Sequence, residues 1–452
     1  MQTISSKSIS PKKADPYVSS FEQLEKGRFQ KDPAWLRAVR KAGIAHFVNL
    51  GFPTTDHEEW RFTNVTSITK LPFNPVLEYS ANDLTSKKVK PITFEKMKGS
   101  RLVFVDGHFS KELSVIQPNS IKIGSLAAAI ATDSGILEQY LARHARFDEN
   151  AFTALNTAFF FDGAFVFIPD GVVVDEPIHL LFISTAKEMG TTIHPRNLLI
   201  VGKGSKATFI ESYESHSKVP YFTNALTEIV LEENAVVEHC KLQNEALQSF
   251  HIATIHAYQR QNSHFTSHSI SVGAQLARNN IHVVLDGEGI DSILNGLYLA
   301  NGTQLVDHHT VVDHAKPNCG SHEYYHGILD GKSKGVFNGK IFVRKDAQKT
   351  DAKQTNRNLL LSSDATIDTK PQLEIFADDV KCTHGATVGQ LDEEAIFYLK
   401  SRGIGHDTAR SMLIHAFASE VLNRIKMKAV QVSLDKLLND YLDQSFHLSS
   451  QE

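Results

Sequence analysis

Apolar positions run along this chain with changing periods. Near the start, Leu36, Val39, Phe47 and Leu50 recur at roughly helical spacing. Asp32-Pro33 reads as an N-cap followed by proline at the first helical position, and Gly51 with Pro53 as the stop. Between about residues 100 and 150 the pattern is mixed: Arg101–Val105 predicts a strand closing on an Asp106-Gly107 turn, and 125–146 has helical character. From about 155 to 388 the texture changes. Short runs of Val, Ile, Leu, Phe and Thr alternate with Gly, Asp and Asn, as at 164–168, 198–201, 227–231, 281–285 and 340–343, with no amphipathic helix of useful length between them. About 230 residues of strand without crossover helices argue against a doubly wound α/β fold and leave a sandwich, a barrel or a solenoid.

An internal repeat favours the solenoid over a double-sheet jelly roll. Val284-Leu285-Asp286-Gly287, followed by Asn295-Gly296, returns as Ile328-Leu329-Asp330-Gly331 followed by Asn338-Gly339, at offsets of 44 and 43 residues. Two stacked coils of about 22 residues fit that spacing, since solenoid coils bury one another's apolar edges. After Gly389 helix signals return. Asp392 caps a helix with Glu393 and Glu394 in its first turn, Lys400 and Arg402 at its end and Gly403 at C′. A second helix is expected from Asp407, with Ala409, Met412, Leu413, Ala416 and Val421 on one stripe, and a third capped by Ser433, with Leu434, Leu437, Leu438, Tyr441 and Leu442. The predicted organisation is a helical or mixed N-terminal domain (1–150), a β core (151–388) and a separate helical C-terminal domain (389–452).

Composition narrows the function classes. The 452 residues carry 47 basic and 51 acidic side chains, a formal charge of −4, with 41% hydrophobic and 22% charged residues. That is a globular composition, and the balanced charge argues against a nucleic-acid partner. Three cysteines make no disulfide framework and fit a reducing compartment. Residues 1–16 are rich in Ser and Lys without the apolar core of a secretory signal, and no apolar run approaches the roughly 18 residues of a membrane span. A soluble, cytoplasmic protein is expected, with no membrane and no nucleic acid among its partners.

Four constellations bear on chemistry. His322-Glu323-Tyr324-Tyr325-His326 matches the H-E-x-x-H pattern of zinc hydrolases. Gly320 and Gly327 bracket it too closely for the helix that chemistry requires, and on a strand the two imidazoles stand about 13 Å apart. His308, His309 and His314 miss a cupin ligand pattern, which would place a histidine where Thr310 stands, and are expected to be ordinary hydrogen-bonded side chains. Gly202-Lys203-Gly204-Ser205-Lys206 lacks phosphate-loop spacing and reads as a strand turn, so no ATP hydrolysis is expected of the chain alone. Cysteine lies close to histidine at His239-Cys240, Cys319 with His322, and Cys382-Thr383-His384. Residues i and i+2 of a strand share a face about 6.6 Å apart, so Cys382 and His384 are candidate ligands for iron or a cluster edge, with the remainder supplied by another chain. Buried structural cysteines are the competing reading.

The run from Lys370-Pro371-Gln372-Leu373-Glu374-Ile375-Phe376 through Lys381-Cys382-Thr383-His384-Gly385 to Thr387-Val388-Gly389 resembles the SufD branch of the SufB/SufD family of iron–sulfur cluster assembly proteins. Ile396-Phe397-Tyr398-Leu399 and Ser401-Arg402-Gly403-Ile404 continue the likeness. So do Ala154-Leu155-Asn156-Thr157-Ala158, Asp162-Gly163, His194-Pro195-Arg196-Asn197 and Glu59-Trp60-Arg61-Phe62-Thr63. The resemblance implies a mainly β fold, a right-handed parallel β-helix flanked by N- and C-terminal helical domains. It also implies a non-enzymatic scaffold that pairs with SufB through the β-helix cores and binds the ATPase SufC through the C-terminal helices, here at Phe397, Tyr398, Arg402 and Gly403. By the same resemblance Cys382 and His384 handle iron at the SufB-facing surface. No permanent cofactor is expected, only transient iron or a nascent iron–sulfur cluster. Reduced flavin follows from the resemblance alone, and a homodimer of the isolated chain stays open. The alternatives from other classes are a cytosolic zinc hydrolase using His322 and His326, and a β-helix carbohydrate-active enzyme.

Overall fold

The computed structural model describes residues 15–81, 84–89, 94, 97–117 and 120–449, so most of the Ser- and Lys-rich stretch 1–16 lies outside the described residues. Strands visit two sheets in alternation. The first sheet runs through Ala164–Ile168, Arg196–Val201, Tyr221–Leu231, Phe250–Gln259, Leu276–Leu285, Leu305–His314, Lys334–Val343 and Thr366–Ile375. The second runs through Arg101–Val105, Ile178–Ser184, Lys206–Ser215, Val236–Asn244, His264–Ser271, Asp291–Ala300, Gly320–Leu329, Asp351–Leu360 and Lys381–Gly389. Neighbours pair in parallel, as the expected solenoid requires, and the stack makes about 8 turns.

The coil is longer than the repeat predicted. Leu276 sits opposite Leu305, Leu305 opposite Lys334 and Asp291 opposite Gly320, an advance of 29 residues each time rather than 22. The 44-residue repeat is one and a half coils. It superimposes the end of Leu276–Leu285 in the first sheet on the end of Gly320–Leu329 in the second, so it relates opposite walls. Alternate residues of each strand point into the lumen. Leu199, Ile229, Ile255 and Ile281 from one wall meet Phe209, Val237, Phe265 and Leu294 from the other.

Helices cover the outer walls. Ala151–Phe159 is a helix where strands were expected from 155; all nine residues are buried, and on its polar stripe Asn156 and Thr157 bond Pro195 and Arg196 rather than solvent. Asn150 caps it, its Oδ1 accepting from the Phe152 and Thr153 amides at 3.0 and 3.1 Å. This helix lies between Ala34–Leu50 and Phe222, Phe250, Ile252 and Leu276 of the first sheet. Pro33 rather than Asp32 takes the N-cap of Ala34–Leu50, because Asp32 is drawn to Arg40 at 2.7 Å. Leu36 and Phe47 are buried and Leu50 is exposed.

The C-terminal helices are Glu393–Ser401, His406–Leu422 and Lys428–Ser449. Asp392 caps the first through the Glu394 and Ala395 amides, and Gly403 has φ +86° beyond its end, both as expected. The second helix buries Ala409, Ile414, Ala418, Val421 and Leu422 and leaves Met412 exposed. Ser433 caps nothing: it lies inside the third helix, its hydroxyl donating to the Ala429 carbonyl. These helices are not a separate unit. They close over Ile210, Cys240, Leu242, Ile270, Leu297, Leu299 and Ile328 on the outer wall of the second sheet. Among the described residues no helix is long and apolar enough to cross a membrane.

Candidate functional site

Among the described residues no strand pairs beyond the last coil. Middle strands such as Leu305–His314 are almost wholly buried, whereas Thr366–Ile375 is half-buried and Lys381–Gly389 is exposed at every position except Cys382. Cys382, His384, Ala386 and Val388 stand opposite Ala352, Gln354, Asn356 and Asn358, all buried lumen residues, so they face the same way and form the rim of the lumen. Pro371, Leu373 and Ile375 stand over Gly339, Ile341 and Val343 on the other wall. The outer edges of both strands also carry backbone donors and acceptors that a further strand would satisfy. The run Phe376 to Val380 is the turn between these strands. Phe376 is exposed there, its ring 5.4 Å from that of Phe342.

Cys382 packs against Ile341, Val343, Ala347, Ala352 and Ala377. Burial, and then the Asp351 carboxylate, push its thiol up, so the sulfur rests as a neutral thiol and a metal would have to displace its proton. His384 is exposed beside it. The pair offers one soft and one borderline donor at an open rim. Among the described residues no third His, Cys, Asp or Glu completes a metal site, so the arrangement amounts to half of one.

The other candidates are taken up by structure. Cys240 lies under the C-terminal helices, its thiol pushed up to about 12 by burial, while His239 points the opposite way, within hydrogen-bond distance of Ser267 and Glu211. The Cys319 thiol donates to the Gly287 carbonyl at 3.1 Å. The H-E-x-x-H run lies on the strand Gly320–Leu329: His322 is exposed, Glu323 enters the lumen, and His326 bonds the Phe417 carbonyl at 2.9 Å with its ring stacked on Phe417. That geometry removes the zinc-hydrolase reading. His308 stacks on Tyr298 in the lumen, His309 pairs with Asp307 outside it, and His314 meets Ser321 at 2.8 Å. Gly202 to Ser205 is the turn between two strands.

On the first C-terminal helix Phe397 and Tyr398 are 73% and 57% exposed, with the Arg402 guanidinium 5.2 Å from the Tyr398 ring and Gly403 just beyond. Ile396, next to them in sequence, turns inward. Sequence reasoning missed the polar lumen row Glu323, Gln354 and His384. Its only trace is a spacing of 31 and 30 residues, close to one coil, and it is legible only once the coil length is known.

Comparison with known proteins agrees with this geometry. Residues 182–417 match the family model described as "SUF system FeS cluster assembly, SufBD core domain", and residues 11–180 match "SufBD protein N-terminal region". An iron–sulfur cluster assembly SufBD family protein of Synechocystis is 35% identical over 87% of this chain and 88% of its own length. The iron–sulfur cluster assembly protein SufD of Escherichia coli is 32% identical over 85% and 88%, and that of Bacillus subtilis 26% over 92% and 95%.

Proposed function

The chain belongs to the SufB/SufD family of iron–sulfur cluster assembly proteins, on its SufD side, and from that premise we propose that it is a cytoplasmic scaffold subunit with no catalytic activity of its own. One observation carries the reading: the last coil is open on its edge and at its rim, and the rim presents Cys382 and His384. A SufB-type partner pairs there, and its donors complete the half-site of Cys382 and His384 around iron or a nascent cluster, which passes as cargo. The exposed Phe397, Tyr398, Arg402 and Gly403 receive the ATPase SufC; aromatic residues with arginine are what protein interfaces favour. No resident cofactor is proposed, and reduced flavin is assigned to no residue. Without a partner, the same open edge lets two copies pair.

His384→Ala tests the rim. Thermal unfolding of the isolated chain and pairing with the partner should be unchanged, while cluster formation by the reconstituted complex should fall. Lost stability with normal cluster formation returns both residues to a packing role.

A further inference from the structure

At the open end the lumen is layered. Thr310 faces Glu323 across it, and the Thr310 hydroxyl donates to Glu323 Oε2 at 2.5 Å. The next layer holds Gly339, which stands over Thr310, and Gln354, which stands over Glu323. The last layer holds Pro371 over Gly339 and His384 over Gln354. Gln354 lies across its layer: a Cβ on Gly339 would come within 2.0 Å of Gln354 Nε2. Gly339 has no positive φ, so glycine stands there for room rather than for backbone conformation.

Gln354 is 1% exposed, yet neither its Nε2 nor its Oε1 has a protein partner. The neighbouring lumen amides differ. Asn358 Nδ2 donates to Asn356 Oδ1 at 2.6 Å, and Asn358 Oδ1 accepts from the Tyr298 hydroxyl at 2.5 Å. A buried amide free at both ends is rare, because both ends give up water and gain nothing. Below it Glu323 Oε1 is unpartnered as well; the Gln354 amide is near enough to act on that carboxyl, although the two complete no hydrogen bond as they stand. Above it Pro371 has no side-chain donor or acceptor, and Cys382 and Ala386, which flank His384 on the lumen face, offer no strong one. His384 is therefore the side chain of the last layer that can complete Gln354. Adjacent strands stand about 4.8 Å apart, so the His384 ring reaches the amide by rotation of its own side chain.

We infer that Gln354 is a positioning residue for His384: its Nε2 donates down to Glu323 Oε1, and its Oε1 accepts a ring N–H of His384. The other ring nitrogen, with its lone pair, then faces outward at the rim. The amide thereby selects one tautomer and one ring orientation, which is what a hydrogen-bonded neighbour commonly does for a metal-binding imidazole. No proton or electron changes hands. The contact between Gln354 and His384 stands on the lumen alone; its use for iron rests on the function proposed above.

Ring-nitrogen NMR of the full chain, labelled with ¹⁵N-histidine and held at a pH where imidazoles are neutral, tests it. The His384 signals are those lost in His384→Ala. The parent should show His384 in one tautomer, and Gln354→Leu should show both in exchange, as in a free imidazole. Gln354→Met, unbranched like glutamine, takes its place should the leucine variant not fold. Equal tautomer populations in the parent and a folded Gln354 variant overturn the assignment. In the reconstituted complex the same variant should raise the iron concentration needed for half-maximal cluster formation about tenfold, with the rate at saturating iron unchanged. If the tautomer is released as expected but His384→Ala leaves cluster formation intact, the positioning stands and the rim's proposed role falls. If His384→Ala impairs cluster formation while the Gln354 variants alter neither tautomer nor iron requirement, the rim stands and Gln354 is a packing residue.

Discussion

Arg278 lies with its guanidinium 3.7 Å from the Trp60 ring, donates to the Glu59 carbonyl at 2.7 Å and meets Asp307 at 2.9 Å. Thr63 donates to the same carboxylate at 2.5 Å. The Glu59 to Thr63 run is therefore a clamp that fastens the N-terminal segment to the first sheet. Arg196 works alike further down, meeting Glu228 at 2.6 Å and the Thr157 hydroxyl at 2.9 Å. Burial raises the Asp307 carboxyl, but Arg278, His309 and Thr63 together outweigh it and hold it well below the usual carboxylate range. A depressed carboxyl stabilises the fold above its unfolded value, and that share is lost only as pH falls through the folded value. Asp307→Asn leaves Arg278 buried and half-paired, so equilibrium denaturation at neutral pH should show a loss of roughly 3–5 kcal/mol. A loss under about 1 kcal/mol, as for an exposed pair, would refute the clamp. His384→Ala, at an exposed position, should stay within about 0.5 kcal/mol. The sequence singled out the motif residues of the clamp but not their roles, because Arg278 and Asp307 reach the Glu59 to Thr63 run only once Leu305–His314, the sixth of the eight first-sheet strands, is stacked.

At the scale of elements, what is local was legible and what depends on packing was not. Asp392 and Gly403 bound their helix through atoms two or three residues away, and both were read from the sequence. The stripe of His406–Leu422 was read in part: Ala409 and Val421 are buried, but Met412 with Ala416 and Ile414 with Ala418 are equally good helical repeats, and the outer wall of the second sheet selects the latter. The same contact argues against a detachable C-terminal domain. Truncation after Gly389 would expose Cys240, Leu242, Ile270, Leu297 and Leu299 together, so the shortened chain should aggregate or unfold well below the full one in a thermal scan. A truncated chain that melts with the parent would sink this. Phe397→Asp makes a cleaner test of the proposed ATPase surface. At 73% exposure it should leave the melting temperature unchanged and weaken SufC capture in a binding titration; undiminished capture would move the docking site elsewhere.

At the scale of the molecule, the strand-rich middle and the solenoid were legible because every coil repeats the same alternation, while the coil length was hidden by a repeat that joins opposite walls. A fold built this way traps titratable groups in both walls, and their sum sets its response to acid. Burial lowers His179, His194 and His308 to about 3 and His314 and His326 to about 4. In the unfolded chain these five take up protons below about 6.5, so each removes stability as pH falls from there toward its folded value. Two carboxyls act oppositely: burial raises Glu214 to about 8 and Glu323 to about 7, so the folded state already holds most of their protons and gains as pH falls, and burial moves Asp162 in the same direction. Between about pH 6.5 and pH 5.5 the histidines of the unfolded chain are on average about three-quarters protonated, so five histidines against two carboxyls leave about two protons taken up on unfolding, and His108, His144, His251, His256 and His282, all lowered, add to the same side. Two protons correspond to roughly 3 kcal/mol per pH unit. Urea denaturation should therefore show stability falling by about that much between pH 6.5 and pH 5.5. His308→Phe, which keeps a ring against Tyr298, should reduce the slope by about one proton. Stability level across that interval would mean that these histidines are protonated in place and that the interior is far wetter than the fold implies.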